Sequence, residues 1–312
     1  MVVDTILFGD CRETLKEFDG KARTCVTSPP YYGLRDYGGE ESQIGQEQTP
    51  EEYIQNLVEV FRSVRDVLTD DGTLWVNIGD SYYNYRPGKG QALPKQTVSK
   101  TKQDLPDKCA KRGNKLEGLK EKDLIGIPWM LAFALRADGW YLRQDIIWHK
   151  PNPMPESVKD RCTKSHEYIF LLSKNRKYYY NNEAIKEPVK QDWGTRDRTK
   201  GKYHNPGTGL VPHSGLSKSY DRKNKRDVWT VTNKPYKGAH FAVYPPDLIE
   251  PCIKAGSEEG DIVLDPFMGS GTTALVSKSL NRHYIGCELH EDYGRLIQKR
   301  LSEKSFARLK LE

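Results

Sequence analysis

Residues 262–288 read IVLDPFMGSGTTALVSKSLNRHYIGCE. A β-branched run at 262–264 enters a glycine turn, a helical segment follows over 272–280, and an apolar strand returns at 284–288. Strand, turn, helix and strand in this order form the unit from which parallel sheets are assembled. Gly269 and Gly271 let the backbone turn tightly and approach a ligand with no Cβ in the way. A glycine pair alone is a weak cofactor signature, and its neighbours decide the reading. No lysine of the triphosphate-binding kind follows the glycines, and Glu288 closes the second strand 17 residues after Gly271. An acid at that place grips ribose hydroxyls in doubly wound folds, although Glu288 would equally suit the N-terminus of the following helix. The combination describes a site for an adenosine-containing cofactor, formed by Asp265, Pro266, Phe267, Gly269, Ser270, Gly271, Thr272 and Glu288.

Outward from this stretch the same alternation continues. Apolar runs at 2–8 and 22–27 predict strands, and TPEEYIQNLVEVFRSVRDVL from Thr49 predicts a helix. Thr49 with Glu52 forms a capping box, Pro50 suits the first helical position, and Ile54, Leu57, Val58, Phe61, Val64 and Leu68 share one face. Asp71-Gly72 should end that helix before a strand at 73–78. A helix at 127–137, strands at 142–148 and 168–173, and helices at 246–255 and 292–302 complete an α/β chain with a doubly wound, mostly parallel sheet.

The chain has 312 residues, a formal net charge of +6, 36% hydrophobic and 10% aromatic residues. That composition excludes a disordered acidic chain, a collagen-like repeat and a coiled coil. The longest apolar run, 127–135, is too short to span a bilayer, and the first residues lack the pattern of a secretory signal. Six widely spaced cysteines contain no CxxC pair, which argues against a disulfide framework or a cysteine zinc site; the expected location is cytoplasmic. The charge is uneven. Residues 86–122 hold 11 Lys/Arg against 4 Asp/Glu, and residues 186–237 hold 13 against 5, so the remaining body is acidic. One lysine-rich loop is commonly a solvated surface. Two on an acidic body, interleaved with Trp193, Tyr203, Tyr220, Trp229 and Tyr236, favour a nucleic acid, whose phosphates take cations and whose bases stack on rings.

A second motif, Thr27-Ser28-Pro29-Pro30-Tyr31, follows the strand at 22–27. Successive prolines cannot continue a helix or central strand, so the chain leaves the sheet in a stiff, extended turn. The Ser28 hydroxyl and Pro29 carbonyl can then point into one hollow with the Tyr31 ring beside them. Two acceptors and a flat ring suit the exocyclic amine of a planar base. In isolation, a proline-stiffened loop with a packing tyrosine would read the same way.

TSPPYY at 27–32 together with DPFMGSGTT at 265–273 resembles the DNA amino-methyltransferases that modify cytosine N4 or adenine N6 with S-adenosylmethionine. The order, TSPPY before the glycine motif, resembles the family's β type, a circularly permuted Rossmann-like methyltransferase fold. The resemblance covers about 200 residues and leaves the basic insertions unmatched. It implies that the N-terminal run supplies the third strand of the cofactor half. Gly9-Asp10 then corresponds to an acidic turn that contacts adenine, although Asp10 also suits a helix cap. HFAVYPP at 240–246 resembles the motif over the methionine end of the cofactor, which adds His240 and Phe241 to the cofactor residues, with Thr27. The catalytic residues implied are Ser28, Pro29, Pro30 and Tyr31. Candidate DNA contacts are Tyr32, Arg196, Arg198, Arg222 and Arg226.

The expected organisation is a first catalytic part (1–84), a basic loop (85–122), a middle catalytic part (123–185), a target-recognition region (186–237) and a cofactor part (238–312). Family members with Ser before Pro-Pro-Tyr commonly act on cytosine, and those with Asp or Asn on adenine. Ser28 therefore implies cytosine N4 within double-stranded DNA, with adenine N6 as the alternative. An RNA or protein amine methyltransferase and a non-catalytic DNA-binding module are the remaining rivals. The resemblance leaves room for a cognate restriction endonuclease and for a homodimer. His149, His166, Trp129, Trp140 and Trp148 read as packing residues, Asp80 as a turn or pocket residue, and Lys150 and Arg161 as surface or phosphate cations.

Overall fold

A computed structural model describes residues 2–34, 43–83, 116, 118–189, 221–233 and 244–302. Most of the 85–122 insertion and of the 186–237 region lies outside these residues. So do Trp193, Arg196, Arg198, Tyr203, Tyr220, Tyr236, His240 and Phe241. In chain order the elements are β1 (Thr5–Phe8), α1 (Cys11–Thr14), β2 (Ala22–Thr27), α2 (Pro50–Val67), β3 (Leu68–Ile78), α3 (Ile127–Ala137), β4 (Tyr141–His149) and β5 (His166–Ser173). They continue with β6 (Glu187–Pro188), β7 (Arg222–Lys223), β8 (Val228–Thr230), α4 (Pro246–Gly256), β9 (Ile262–Asp265), α5 (Thr272–Ser279), β10 (His283–Glu288) and α6 (Asp292–Ser302).

The chain divides into two units, 181–226 and the remainder. The larger unit holds an eight-stranded sheet in the order β1-β10-β9-β2-β3-β5-β4-β8. The five strands from β1 to β3 run parallel, β5 is antiparallel to both β3 and β4, and β8 is parallel to β4. The N-terminal strand lies beside the C-terminal one, with Thr5 opposite Ile285 and Phe8 opposite Glu288, as a permuted connectivity requires. α2 begins with the expected reciprocal cap: Thr49 Oγ1 accepts from Glu52 N, and Glu52 accepts from Thr49 N. Its apolar face, with Tyr53, Leu57, Phe61 and Val64 fully buried, packs into one core with Leu74, Val76, Leu131 and Leu264.

Two boundaries differ from the sequence expectation. α2 ends at Val67 rather than at Asp71-Gly72, because Leu68 is fully buried and turns into the sheet in extended conformation. Residues 69–72 then bulge out of register, since Ala22 pairs with Leu68 but Thr24 with Thr73. Arg23 holds Asp71 in an ion pair, and the Lys174 ammonium donates to the Leu68 carbonyl at 2.9 Å. The second difference is β8. Its three residues fall inside the region read as basic insertion but extend the main sheet, with Trp229 buried opposite Trp148.

β9 connects to β10 on one side and β2 to β3 on the other, so the strand order reverses between β9 and β2. Ligands of doubly wound folds bind outside the carboxyl ends of the strands at such a reversal. Among the described residues no helix is long and apolar enough to cross a membrane.

Candidate active site

Across the reversal, the ends of β2 and β9 are tied side chain to side chain, with Thr27 Oγ1 donating to Asp265 Oδ1 at 2.6 Å. Asp265 is fully buried. It also accepts from Phe267 N (3.0 Å) on Oδ1, and from Thr273 Oγ1 (2.5 Å) and the Tyr244 hydroxyl (3.0 Å) on Oδ2. Burial pushes this carboxyl above its ordinary value while the four donors pull the other way. In front of the knot lies a cavity of 450 Å³, within the range of small-molecule sites.

One wall is the glycine turn between β9 and α5. Gly269 and Gly271 have φ of +54° and +80°, left-handed conformations that glycine adopts without strain. A Cβ on Gly271 would stand 2.9 Å from Ile297, so its space is taken by α6. Gly269 N donates to Glu288 Oε2 at 2.8 Å, and His290 N donates to Oε1 at 3.1 Å. Burial raises the Glu288 carboxyl above its ordinary value against these two bonds. Arg300 on α6 braces the turn from behind, donating to the Ser270 carbonyl (3.0 Å), Ser270 Oγ (2.8 Å) and Thr272 Oγ1 (3.0 Å). His290 also lines the cavity, and its Nε2 is buried with no hydrogen-bond partner among the described residues.

The opposite wall is the proline turn after β2. Ser28, Pro29, Pro30 and Tyr31 all line the cavity. The Tyr53 hydroxyl on α2 donates to the Pro30 carbonyl at 2.7 Å, which anchors the turn to the core. The Tyr31 hydroxyl donates to Glu167 Oε2 at 2.7 Å. Burial and the adjoining carboxylate push the Tyr31 phenol well above its ordinary value. Gly79 makes room for the ring: a Cβ there would stand 2.8 Å from Tyr31 Cε2. Asn77 on β3 donates to Glu167 Oε2 (3.2 Å) and to the Tyr168 carbonyl (3.1 Å), and Lys150 forms an ion pair with Glu167 Oε1.

The structure therefore brings together Ser28, Pro29, Pro30 and Tyr31 with Asp10, Pro266, Phe267, Gly269, Ser270, Thr272 and Glu288 around one hollow. Asp10 lines it while capping α1, accepting from Arg12 N at 2.8 Å and pairing with the Arg12 guanidinium at 2.6 Å. Burial works to raise its pKa, but Arg12 outweighs it and holds the carboxyl below its ordinary value.

Four expected contacts stand behind the wall instead. Thr27 and Asp265 are spent on each other, and Gly271 faces Ile297. Tyr32 turns toward α2, its ring centroid 5.5 Å from that of Tyr53 and its hydroxyl on the Gln48 carbonyl at 3.2 Å. Burial pushes that phenol up to about 12. In the 181–226 unit, Arg222 donates to the carbonyls of Glu183 and Lys186, and Arg226 pairs with Glu187 at 2.6 Å; both tie β6 and β7 to their own unit. Asp80 is not a pocket residue. Its Oδ1 accepts from Gly126 N and Ile127 N and so caps α3. Asn77, Glu167 and His290 line the cavity and Arg300 braces its glycine turn, though nothing in the sequence singled them out; Tyr244, within the 240–246 motif expected at the methionine end of the cofactor, lines it too. Lys150, expected as a surface or phosphate cation, lines the cavity, and so does Trp148, which is also buried as expected of a packing residue.

A model of the DNA methylase family matches residues 22–299. The chain is 47% identical over 302 residues to the Type II methyltransferase M.SmaI of Serratia marcescens, covering 95% of this chain and 90% of that protein. It is likewise 47% identical over 298 residues to the Type II methyltransferase M.Cfr9I of Citrobacter freundii, covering 95% and 87%. Among solved structures, the fold is similar to the cytosine-N4-specific PvuII DNA methyltransferase, with a TM-score of 0.61 at 17% identity over 99% of this chain and 91% of that one. A putative DNA modification methylase of Thermus thermophilus, complexed with S-adenosyl-L-methionine, superposes with a TM-score of 0.58 at 22% identity over 98% and 94%.

Proposed function

The chain belongs to the DNA methylase family, and from that premise we propose that it transfers the methyl group of S-adenosylmethionine to the exocyclic N4 amine of a cytosine flipped out of duplex DNA. The observation that carries this reading is the single cavity shared by Ser28 and Pro29 on one wall and by Gly269, Ser270 and Glu288 on the other.

The donor set suits the cofactor. Glu288 offers a carboxylate to ribose hydroxyls, the positive-φ turn at Gly269 admits a close ligand, and the buried, unpartnered His290 Nε2 awaits a polar atom. When bound, S-adenosylmethionine supplies an already activated methyl group. Everything else falls to the chain. The Ser28 hydroxyl lies on the cavity wall, and its oxygen lone pairs can accept from an amine N–H. The Pro29 carbonyl takes the second N–H; among the described residues it accepts no hydrogen bond. Two acceptors of this kind favour a pyramidal nitrogen and release the lone pair that conjugation with the ring withholds. Holding the amine in line supplies the proximity effect, worth up to about 7–11 kcal/mol. Tyr31, fixed by Glu167 and Gly79, offers a face for the flipped base; stacking returns about 1–3 kcal/mol of the few spent on flipping.

Ser28 in place of an acid or amide before Pro-Pro-Tyr supports cytosine over adenine. The basic 186–237 region, with Arg196 and Arg198, is assigned to target recognition and phosphate contact. A restriction endonuclease of the same site fits the Type II description of the relatives. The test is digestion and mass spectrometry of DNA methylated by the purified protein. N4-methylcytosine is expected; N6-methyladenine as sole product, or methylation confined to RNA or protein, would overturn the reading.

A further inference from the structure

The polar groups on the proline-turn wall can be counted against one another. Glu167 accepts from Lys150 on Oε1, and from the Tyr31 hydroxyl and Asn77 on Oε2. The Asn77 amide spends both N–H groups, on Glu167 and on the Tyr168 carbonyl. The Tyr31 proton is spent on Glu167. Lys150 differs. An ammonium has three donors, and among the described residues the Lys150 ammonium makes one hydrogen bond, to Glu167.

The position of that ammonium is fixed from several sides. Trp148 stands opposite Glu167 in the β4–β5 ladder, and Lys150 N donates to the Ser165 carbonyl at 2.8 Å just beyond it. The ammonium lies 4.2 Å from the Trp148 ring centroid, and that ring is held by its own bond from Nε1 to the Val231 carbonyl at 2.9 Å. The Lys150 and Glu167 side chains are only 17% and 14% exposed. This is a cation set in the wall of the hollow, with donors left over, on the same cavity as Ser28 and Pro29.

We propose that Lys150 reads the target base, donating from its ammonium to the O2 carbonyl of the flipped cytosine, with Glu167 as its positioning residue. The inference rests on the cytosine reading above and deepens it. Beyond its amine, cytosine presents two acceptors in succession, ring N3 and then O2. Adenine presents one acceptor, N1, followed by a C–H. A donor cation beyond the ring nitrogen is matched by cytosine and left bare by adenine, and a buried donor without a partner penalises the wrong base. A backbone phosphate is the competing partner, but it would meet lysines on the rim rather than one enclosed in the wall.

The experiment pairs a base analogue with a variant. A duplex carries, in place of the target cytosine, a 2-aminopyridine C-nucleoside, which keeps the amine and the adjacent ring nitrogen but has C–H where cytosine has O2. Removing Lys150 alone would strand a buried carboxylate, so Lys150→Met is tested both alone and with Glu167→Gln. For the wild type, kcat/KM on the analogue is expected to fall about 10- to 100-fold relative to cytosine, as for loss of a charged hydrogen bond. The double variant is expected to lose a similar factor on cytosine and nothing further on the analogue, with its affinity for S-adenosylmethionine retained. Equal losses on the analogue for wild type and variant would overturn the assignment. A variant defect that appears as a reduced salt dependence of DNA binding would also overturn it in favour of phosphate contact. The wild type on ordinary DNA separates this proposal from the one it rests on: N4-methylcytosine with either contrary result defeats Lys150 alone, while N6-methyladenine as sole product defeats both.

Discussion

The glycine-turn wall is assembled from one stretch of chain: Asp265, Gly269, Glu288 and Arg300 all fall between β9 and α6. The proline-turn wall draws on β2, β3, β4 and β5, and the hydrogen bond from Tyr31 to Glu167 crosses 136 positions of sequence. Backbone groups and positive-φ glycines shape the first wall, and Arg300 braces it. The second is a side-chain network gathered around one carboxylate. A cofactor that never changes suits a wall of fixed backbone shape. A base that must be told from others suits a wall whose chemistry is set by exchangeable side chains. The two walls should therefore fail differently.

The largest effect is expected at the proline turn. Ser28→Ala removes one acceptor for the amine and should lower kcat about 100- to 1,000-fold, by analogy with loss of one preorganised hydrogen bond to a reacting group. The affinity for S-adenosylmethionine, measured by calorimetry, should not move; a joint loss of both would erase the distinction between the walls. On the glycine side, Glu288→Gln should weaken cofactor binding about tenfold, through loss of charged hydrogen bonds, with kcat at saturation nearly unchanged.

Glu288 also gives a pH signature. Burial raises its folded-state pKa above the unfolded value, so between the two values the native state holds a proton that the unfolded state has released. Its contribution to stability is full below the ordinary carboxylate range and is lost as pH rises through the folded value. Thermal unfolding of the cofactor-free protein should show Glu288→Gln flattening that decline. The buried Asp265 titrates in the same sense and leaves part of the slope in place.

Arg300→Met sharpens the comparison from behind the turn. Loss of the bonds to Ser270 and Thr272 should cost several-fold in cofactor affinity, read by the same calorimetry, while single-turnover methyl transfer at saturation stays near wild type. The smallest change is expected from Tyr53→Phe, which frees the Pro30 carbonyl. One neutral hydrogen bond, about 1 kcal/mol, corresponds to roughly fivefold in kcat, with no effect on cofactor affinity.

What could be read from the sequence follows from the same contrast. The β9–α5–β10 stretch, the Thr49 capping box and the pairing of an N-terminal strand with the C-terminal one are local patterns or direct consequences of motif order. The Ser28–Tyr31 turn was legible because two prolines leave few conformations. Glu167 was not: in HEYIFLLS it is one polar residue near the start of a buried strand, and its importance comes from residues that arrive from three other elements. Arg300 lies in an amphipathic closing helix whose charges read as a solvated face. Tyr32 follows the proline motif directly, yet the chain turns its ring to Tyr53. The three residues of β8 were hidden by the charges around them, because a short run carries little periodicity. Leu68 overruled Asp71-Gly72 as the end of α2 because burying a leucine outweighs a turn signal at its flank.

Whether the two walls hold base and cofactor together is tested most directly by a crystal structure of the protein with S-adenosylhomocysteine and a duplex containing its recognition site. An everted cytosine is expected, its amine meeting Ser28 Oγ and the Pro29 carbonyl and facing a sulfur held between Glu288 and the Gly269 turn. An everted adenine in that place, or a cofactor bound outside the 450 Å³ hollow, would contradict that arrangement.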